Sequence, residues 1–83
     1  MKVTADRRRI AGERLEWWQQ QVAAAAGRFA QAEELLAACE DGSWRETKLL
    51  EERKQALEEV YEARTEARRL YQLLCAWTRA EED

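Results

Sequence analysis

Apolar side chains recur along this chain at alternating spacings of four and three residues, in two long stretches separated by Asp41-Gly42-Ser43. Such a seven-residue repeat marks one stripe along an α-helix and is typical of coiled-coil packing. The first stretch carries Ala11, Leu15, Trp18, Val22, Ala25, Phe29, Ala32, Leu36 and Cys39, and the second carries Leu49, Arg53, Ala56, Val60, Ala63, Ala67, Leu70, Leu74 and Trp77. The pattern predicts an all-α protein in which each of two helices packs its stripe, here called the seam, against a neighbour.

The predicted bounds are helix one over about residues 5–40, a turn over 41–43 and helix two over about 44–79, within a single unit spanning 1–83. Thr4 or Asp6 is expected to cap the free N–H groups at the start of the first helix. At the turn, Gly42 suits the left-handed conformation that ends a helix. Ser43 and Glu46 have the spacing of a capping box, in which each side chain accepts from the other's backbone N–H. The acidic tail, residues 80–83, is expected to fray.

A short turn makes the two helices antiparallel neighbours. Large seam residues face small ones if paired residue numbers sum to about 85, so that Phe29 meets Ala56 and Trp18 meets Ala67. Arg53 is the one misfit on the seam, and its guanidinium is expected to reach outward. The predicted fold is therefore a two-helix antiparallel hairpin, coiled-coil-like. Because two helices alone bury little surface, we expect it to complete a helical bundle with itself or with a partner.

Charge and composition narrow the function classes. Charged residues are 37% of the chain, proline is absent and the net charge of -3 comes from acids and bases spread along both arms. No long-range field of one sign is expected, so nucleic acid is not a favoured partner. No apolar run approaches the ~20 residues of a membrane span, and no signal-peptide core is seen near Met1. We expect a cytoplasmic protein with reduced cysteines and no membrane contact.

Candidate chemistry is sparse. Histidine is absent, and the carboxylates follow the pattern of solvated helix faces, as in Glu33-Glu34 and Glu58-Glu59. The seam offers no inward-pointing Glu pair of the kind that holds metals in helical bundles. We expect no catalytic residue, no metal, no cofactor and no small-molecule substrate, and hence a protein that is not an enzyme.

One basic cluster, Arg7-Arg8-Arg9, provides the candidate phosphate contacts of the chain. Asp6 and Glu13 flank it, and no aromatic side chain beside it offers a stacking platform for bases. Nucleic-acid binding is therefore the weaker interpretation of this cluster.

Surplus apolar residues form a second stripe on each helix, beside the seam. On helix two these are Leu50, Leu57, Tyr61, Tyr71 and Cys75, and on helix one they are Ile10, Trp17 and Leu35. The two stripes are predicted to emerge on opposite faces of the hairpin. They have two interpretations, a broad core stripe of a four-helix bundle or a docking surface for another protein. The candidate partner-binding residues are Leu50, Leu57, Tyr61 and Tyr71, with Ile10 and Trp17 as a second contact.

The sequence thus favours a non-enzymatic protein-interaction module, acting as a small chaperone, adaptor or inhibitor, or associating with itself. Arg64 and Arg68 at the edge of the helix-two stripe favour an acidic partner surface. In size and architecture the whole chain resembles the small hairpin co-chaperones of type III secretion needle subunits. It is equally similar to small phage- or mobile-element-encoded inhibitors of host or defence proteins. Two further alternatives are a nucleic-acid regulator that uses Arg7, Arg8 and Arg9, and a subunit that completes another chain's active site.

Overall fold

The protein folds as two α-helices joined by a short turn. The computed structural model describes residues 3–82, in which α1 spans Ala5–Ala37 and α2 spans Trp44–Glu82. The helices pack side by side in an elongated body of 60 × 16 × 14 Å. The all-α hairpin expected from the seven-residue repeat is confirmed.

The start of α1 follows the predicted capping chemistry. Thr4 has an extended backbone, with φ −69° and ψ 153°, and its hydroxyl accepts from the N–H of Arg7 at 3.2 Å. Asp6 lies in the first turn, where a negative charge interacts favourably with the helix dipole. The helix then continues through Gly12 and Gly27 without interruption.

The turn differs in two details from the sequence prediction. α1 ends at Ala37 rather than near residue 40, because the N–H groups of Ala38 and Cys39 bond three residues back and tighten the last turn. Gly42 lies in the turn with the expected left-handed backbone, with φ 79°, but it does not itself end the helix, because α1 already ends at Ala37. The turn is therefore six residues long, 38–43, instead of three.

One of the two hydrogen bonds predicted for the capping box at the start of α2 is present. The hydroxyl of Ser43 accepts from the N–H of Glu46 at 3.2 Å, as expected. The Glu46 carboxylate, however, accepts from Gly42 N–H at 3.3 Å and not from Ser43. Since α1 has already ended, the Gly42 N–H has no helical acceptor, and this carboxylate supplies one.

The far end of α2 also differs from the prediction. The helix continues to Glu82, beyond the predicted end near Arg79. Arg8 of α1 donates from Nη2 to the Trp77 carbonyl at 3.2 Å and lies 2.7 Å from the Glu81 carboxylate. This attachment ties the last turns of α2 to α1. Asp83 lies outside the described residues.

The core is a single seam of mostly small side chains. The buried apolar residues of the described chain are Ala11, Ala25, Ala32, Leu49, Ala56, Ala63 and Leu70. All belong to the seven-residue repeat, and the other repeat positions are half-buried. The repeat therefore identified the contact between the helices correctly, and large apolar residues outside it remain uncovered.

Contacts across the hairpin agree with the predicted register. Arg28 pairs with Glu59, Arg53 Nη1 lies 3.7 Å from Glu33 Oε1, and Arg8 reaches Trp77 as above. The residue numbers of these pairs sum to 87, 86 and 85. Arg53 turns its guanidinium outward from the seam, as expected for a charged group on an aliphatic stem.

Candidate protein-interaction surfaces

The hairpin has two broad faces, one on each side of the plane that contains both helix axes. The groove on one face is lined by Val22, Tyr61, Arg64, Thr65, Ala67 and Arg68, and the groove on the other by Arg28, Gln31, Leu35, Glu52, Gln55 and Glu59. At about 100° per residue, Glu59 and Arg68 project from opposite sides of α2. We call the first the tyrosine face, after Tyr61, and the second the tryptophan face, because Trp17 shares a depression with Arg28 and Glu59.

The tyrosine face carries the main stripe predicted to bind a partner. Leu50, Leu57, Tyr61 and Tyr71 are 41%, 38%, 62% and 60% exposed, so the hairpin itself does not cover them. Leu50, Leu57 and Tyr71 lie on one seven-residue line, which therefore runs along the whole middle of α2. The structure places these four candidates together on one accessible surface, and their role in binding stays a prediction.

Three cations, Lys54, Arg64 and Arg68, are interleaved with that apolar stripe. All three are exposed, and none forms an ion pair with another residue of the described chain. Tyr and Arg side chains, which this surface combines with two leucines, are enriched at protein interfaces. The charge of this part of the face suits an acidic counterpart.

The α1 side of the tyrosine face is a strip of small residues that the sequence analysis did not single out. Ala23, Ala26 and Ala30 are exposed, with Glu16 toward one end and Glu33 toward the other. Glu33 forms an ion pair with Arg53, and Ala26 follows Val22 by one helical turn, which places the strip on this face. The three- and four-residue spacing of these alanines was the available signal. The tyrosine face thus carries large apolar and basic side chains along α2, and small apolar and acidic side chains along α1.

The tryptophan face is also apolar but is bordered by acids. Ile10, Trp17 and Leu35 are 44%, 52% and 39% exposed, as the second stripe predicted. Trp17 packs edge-on against the half-buried Trp18, with ring centroids 4.7 Å apart and planes at 80°. This contact restricts the orientation of the exposed indole. Glu52, Glu59 and Glu62 of α2 border the grooves of this face.

Leu73 is an interface candidate that sequence reasoning missed. It is 40% exposed and lines a depression with Ile10, Arg14 and Trp77. The repeat assigned Leu70 and Leu74 to the seam, and Leu73 between them was not assigned to either stripe. Only the antiparallel pairing shows that Leu73 lies beside Ile10 of the other helix.

The basic cluster near the start of α1 is partly neutralised. Arg8 is bound by Glu81 and Trp77, and Arg9 lies 3.4 Å from Glu13 and 3.8 Å from Asp6. Arg7 is exposed at the edge of the depression that Leu73 lines. Two of the three candidate phosphate contacts therefore already have carboxylate neighbours within the chain.

Other kinds of site leave little trace in the described residues. No group of three or more Cys, Asp or Glu side chains is gathered there in a way that could hold a metal ion. Between residues 3 and 82 neither helix has a stretch long and apolar enough to cross a bilayer.

Comparison with protein-family models, with curated proteins and with solved structures gives no match for this chain. The class of the protein is therefore defined by its architecture, a two-helix hairpin with two uncovered apolar faces.

Proposed function

We propose that this chain is a non-enzymatic protein-interaction module, which binds polypeptides through the two faces of its hairpin as a small chaperone, adaptor or inhibitor. The observation that carries this proposal is the mismatch between what the hairpin buries and what it leaves exposed. Its seam buries small alanines and two leucines, whereas the exposed large apolar residues are Ile10, Trp17, Leu35, Trp44, Leu50, Leu57, Tyr61, Tyr71 and Leu73.

The energetic argument concerns these exposed side chains. Burying a large apolar side chain contributes roughly 1.5–3 kcal/mol relative to leaving it in water. Contiguous apolar stripes of this kind are uncommon on lone monomers and mark interaction surfaces. Rigid helices also present their side chains already oriented, which lowers the entropic cost of binding. A polypeptide partner would gain affinity from both effects.

We also propose that the protein acts inside the cell. Cys39 and Cys75 are free and half-buried, one near the turn and the other near the opposite end of the hairpin. Thiols in this arrangement suit a reducing compartment.

A phage- or mobile-element-encoded inhibitor is the alternative form of this function, and the identity of the partner distinguishes it from a chaperone or adaptor. Nucleic-acid binding is less well supported, because Arg8 and Arg9 already have carboxylate neighbours.

Site-specific crosslinking in the cells that encode the protein tests the proposal. A photoreactive amino acid is placed at Trp17, at Tyr61 or at the outward-facing, exposed Gln20 as the matched control. We expect adducts with a specific heterologous protein from position 17, position 61 or both, and none from position 20. Adding Leu57→Asp or Ile10→Asp should remove the adduct on the corresponding face. Equal adduct formation at all three positions, or adducts that both substitutions leave unchanged, would contradict the proposed function.

A further inference from the structure

We propose that a second copy of this chain covers the tyrosine face, forming a four-helix dimer with a twofold axis parallel to the hairpin and both turns at the same end. The inference rests on the proposed function, because it treats the exposed faces as polypeptide-binding surfaces. It assigns the tyrosine face to self-association and leaves the tryptophan face for other proteins.

The first argument is size complementarity. A twofold axis parallel to the hairpin leaves the position of each residue along that axis unchanged. α2 of one copy therefore packs antiparallel on α1 of the other, in the register found within one hairpin, where paired residue numbers sum to about 85. Leu57 then lies over the gap between Ala26 and Ala30 of the second copy, and Tyr61 lies beside its Ala23. Tall side chains thus meet the alanine strip, which is the alternation that interdigitated helices require.

The second argument is charge complementarity, which selects this axis over another. At the same register, Lys54 lies near Glu33 of the second copy and Arg68 near its Glu16. A twofold axis perpendicular to the hairpin would instead stack α2 on α2. That arrangement brings Lys54, Arg64 and Arg68 of both copies together, and like charges across an interface oppose binding. Opposite charges therefore favour the axis parallel to the hairpin.

The third argument is area. The stripe from Leu50 to Tyr71 is about 32 Å long at the helical rise of 1.5 Å per residue, and the hairpin is 16 Å wide. The face therefore offers about 500 Å² on each copy and about 1,000 Å² in total, which is the size at which specific interfaces begin. In such a dimer the two tryptophan faces lie on opposite outer sides, so the assembly is bivalent toward another protein.

Sedimentation equilibrium of the purified full-length chain tests the dimer. We expect the wild type and Ala76→Asp to dimerise, whereas Leu57→Asp and Tyr61→Asp shift the equilibrium toward monomer by about a hundredfold or more, as for central apolar residues of an interface. Circular dichroism checks that helix content is retained. A wild type that stays monomeric, or a dimer that tolerates both aspartates, would overturn the inference.

Charge reversal tests the pairing across the dimer. Glu16→Arg and Arg68→Glu should each weaken dimerisation by about tenfold, and the double variant should recover most of that loss. Glu58→Arg, at an exposed position on the outer side of α2, provides the control for a change of charge alone. Additive losses in the double variant would overturn the proposed pairing.

Disulfide formation tests the direction of the axis. With Cys39 and Cys75 replaced by Ser, chains carrying Gln19→Cys should crosslink to chains carrying Arg64→Cys when the two are mixed and oxidised. Arg64→Cys alone should not form a disulfide-linked dimer efficiently. Efficient self-crosslinking of Arg64→Cys would instead indicate α2-on-α2 packing and overturn the geometry. Loss of self-association with intact heterologous crosslinking at Trp17 would reject the dimer while leaving the proposed function standing.

Discussion

The hydroxyl of Ser43 accepts a hydrogen bond from the backbone N–H of Glu46 at 3.2 Å and donates one to the carbonyl of Glu40 at 2.9 Å. One side chain therefore joins the end of the turn to the first turn of α2. The Glu46 carboxylate completes the arrangement at Gly42 N–H. These short-range bonds fix the point at which the chain reverses direction.

Replacing Ser43 tests this cap. Ser43→Ala should lower the free energy of unfolding by about 1 kcal/mol, because the Glu46 N–H loses its acceptor. Ser43→Thr keeps a hydroxyl and should lose less. Thermal unfolding followed by circular dichroism measures both variants. Identical melting curves for wild type and Ser43→Ala would show that the cap does not stabilise α2.

Enlarging a buried alanine tests the tight seam. Ala63 is 2% exposed, so Ala63→Leu must displace side chains of α1 and should destabilise the hairpin by roughly 1–3 kcal/mol. Ala76→Leu makes the same change at an exposed position, where little effect is expected. Chemical denaturation of the two variants gives the comparison. Equal stabilities would mean that the helices are not closely packed at Ala63.

The three glycines should respond to alanine in opposite directions. Gly12 and Gly27 lie within α1, and an added Cβ there meets no neighbouring atom within 4 Å. Gly12→Ala and Gly27→Ala should therefore each stabilise the protein, by up to about 1 kcal/mol. Gly42→Ala should destabilise it by about 1 kcal/mol, since φ 79° is unfavourable for a residue with a Cβ. Melting temperatures that fall for all three variants would contradict an unstrained, continuous α1.

The ion pair between Arg28 and Glu59 should contribute little. The two side chains are 54% and 40% exposed, and exposed pairs of this kind contribute about 0–1 kcal/mol. Arg28→Gln should accordingly change the free energy of unfolding by less than Ala63→Leu does, and the change should shrink as salt is added. Denaturation at low and high salt measures it. A large, salt-independent loss would assign Arg28 a packing role in the core.

Local sequence determined most of the secondary structure of this protein. The repeat containing Ala25 and Ala56 identified the seam, because the periodicity of a helix is a property of neighbouring residues. It also showed that Leu57 and Tyr61 lie off the seam. Thr4 and Ser43 marked the helix starts, since their capping bonds reach only three residues along the chain.

Only the tertiary structure decided the features that depend on residues far apart in the chain. α2 reaches Glu82, and its last turns contact Arg8 of α1. The ion pair of Arg8 with Glu81 also weakens the phosphate-binding interpretation of Arg8. Leu73 meets Ile10 only because the helices are antiparallel at this register. Similarly, Glu46 bonds Gly42 because α1 ends early. The sequence alone determines which side chains share a face of each helix. The packing of the two helices decides which of those side chains already contact the other helix and which remain exposed for a partner.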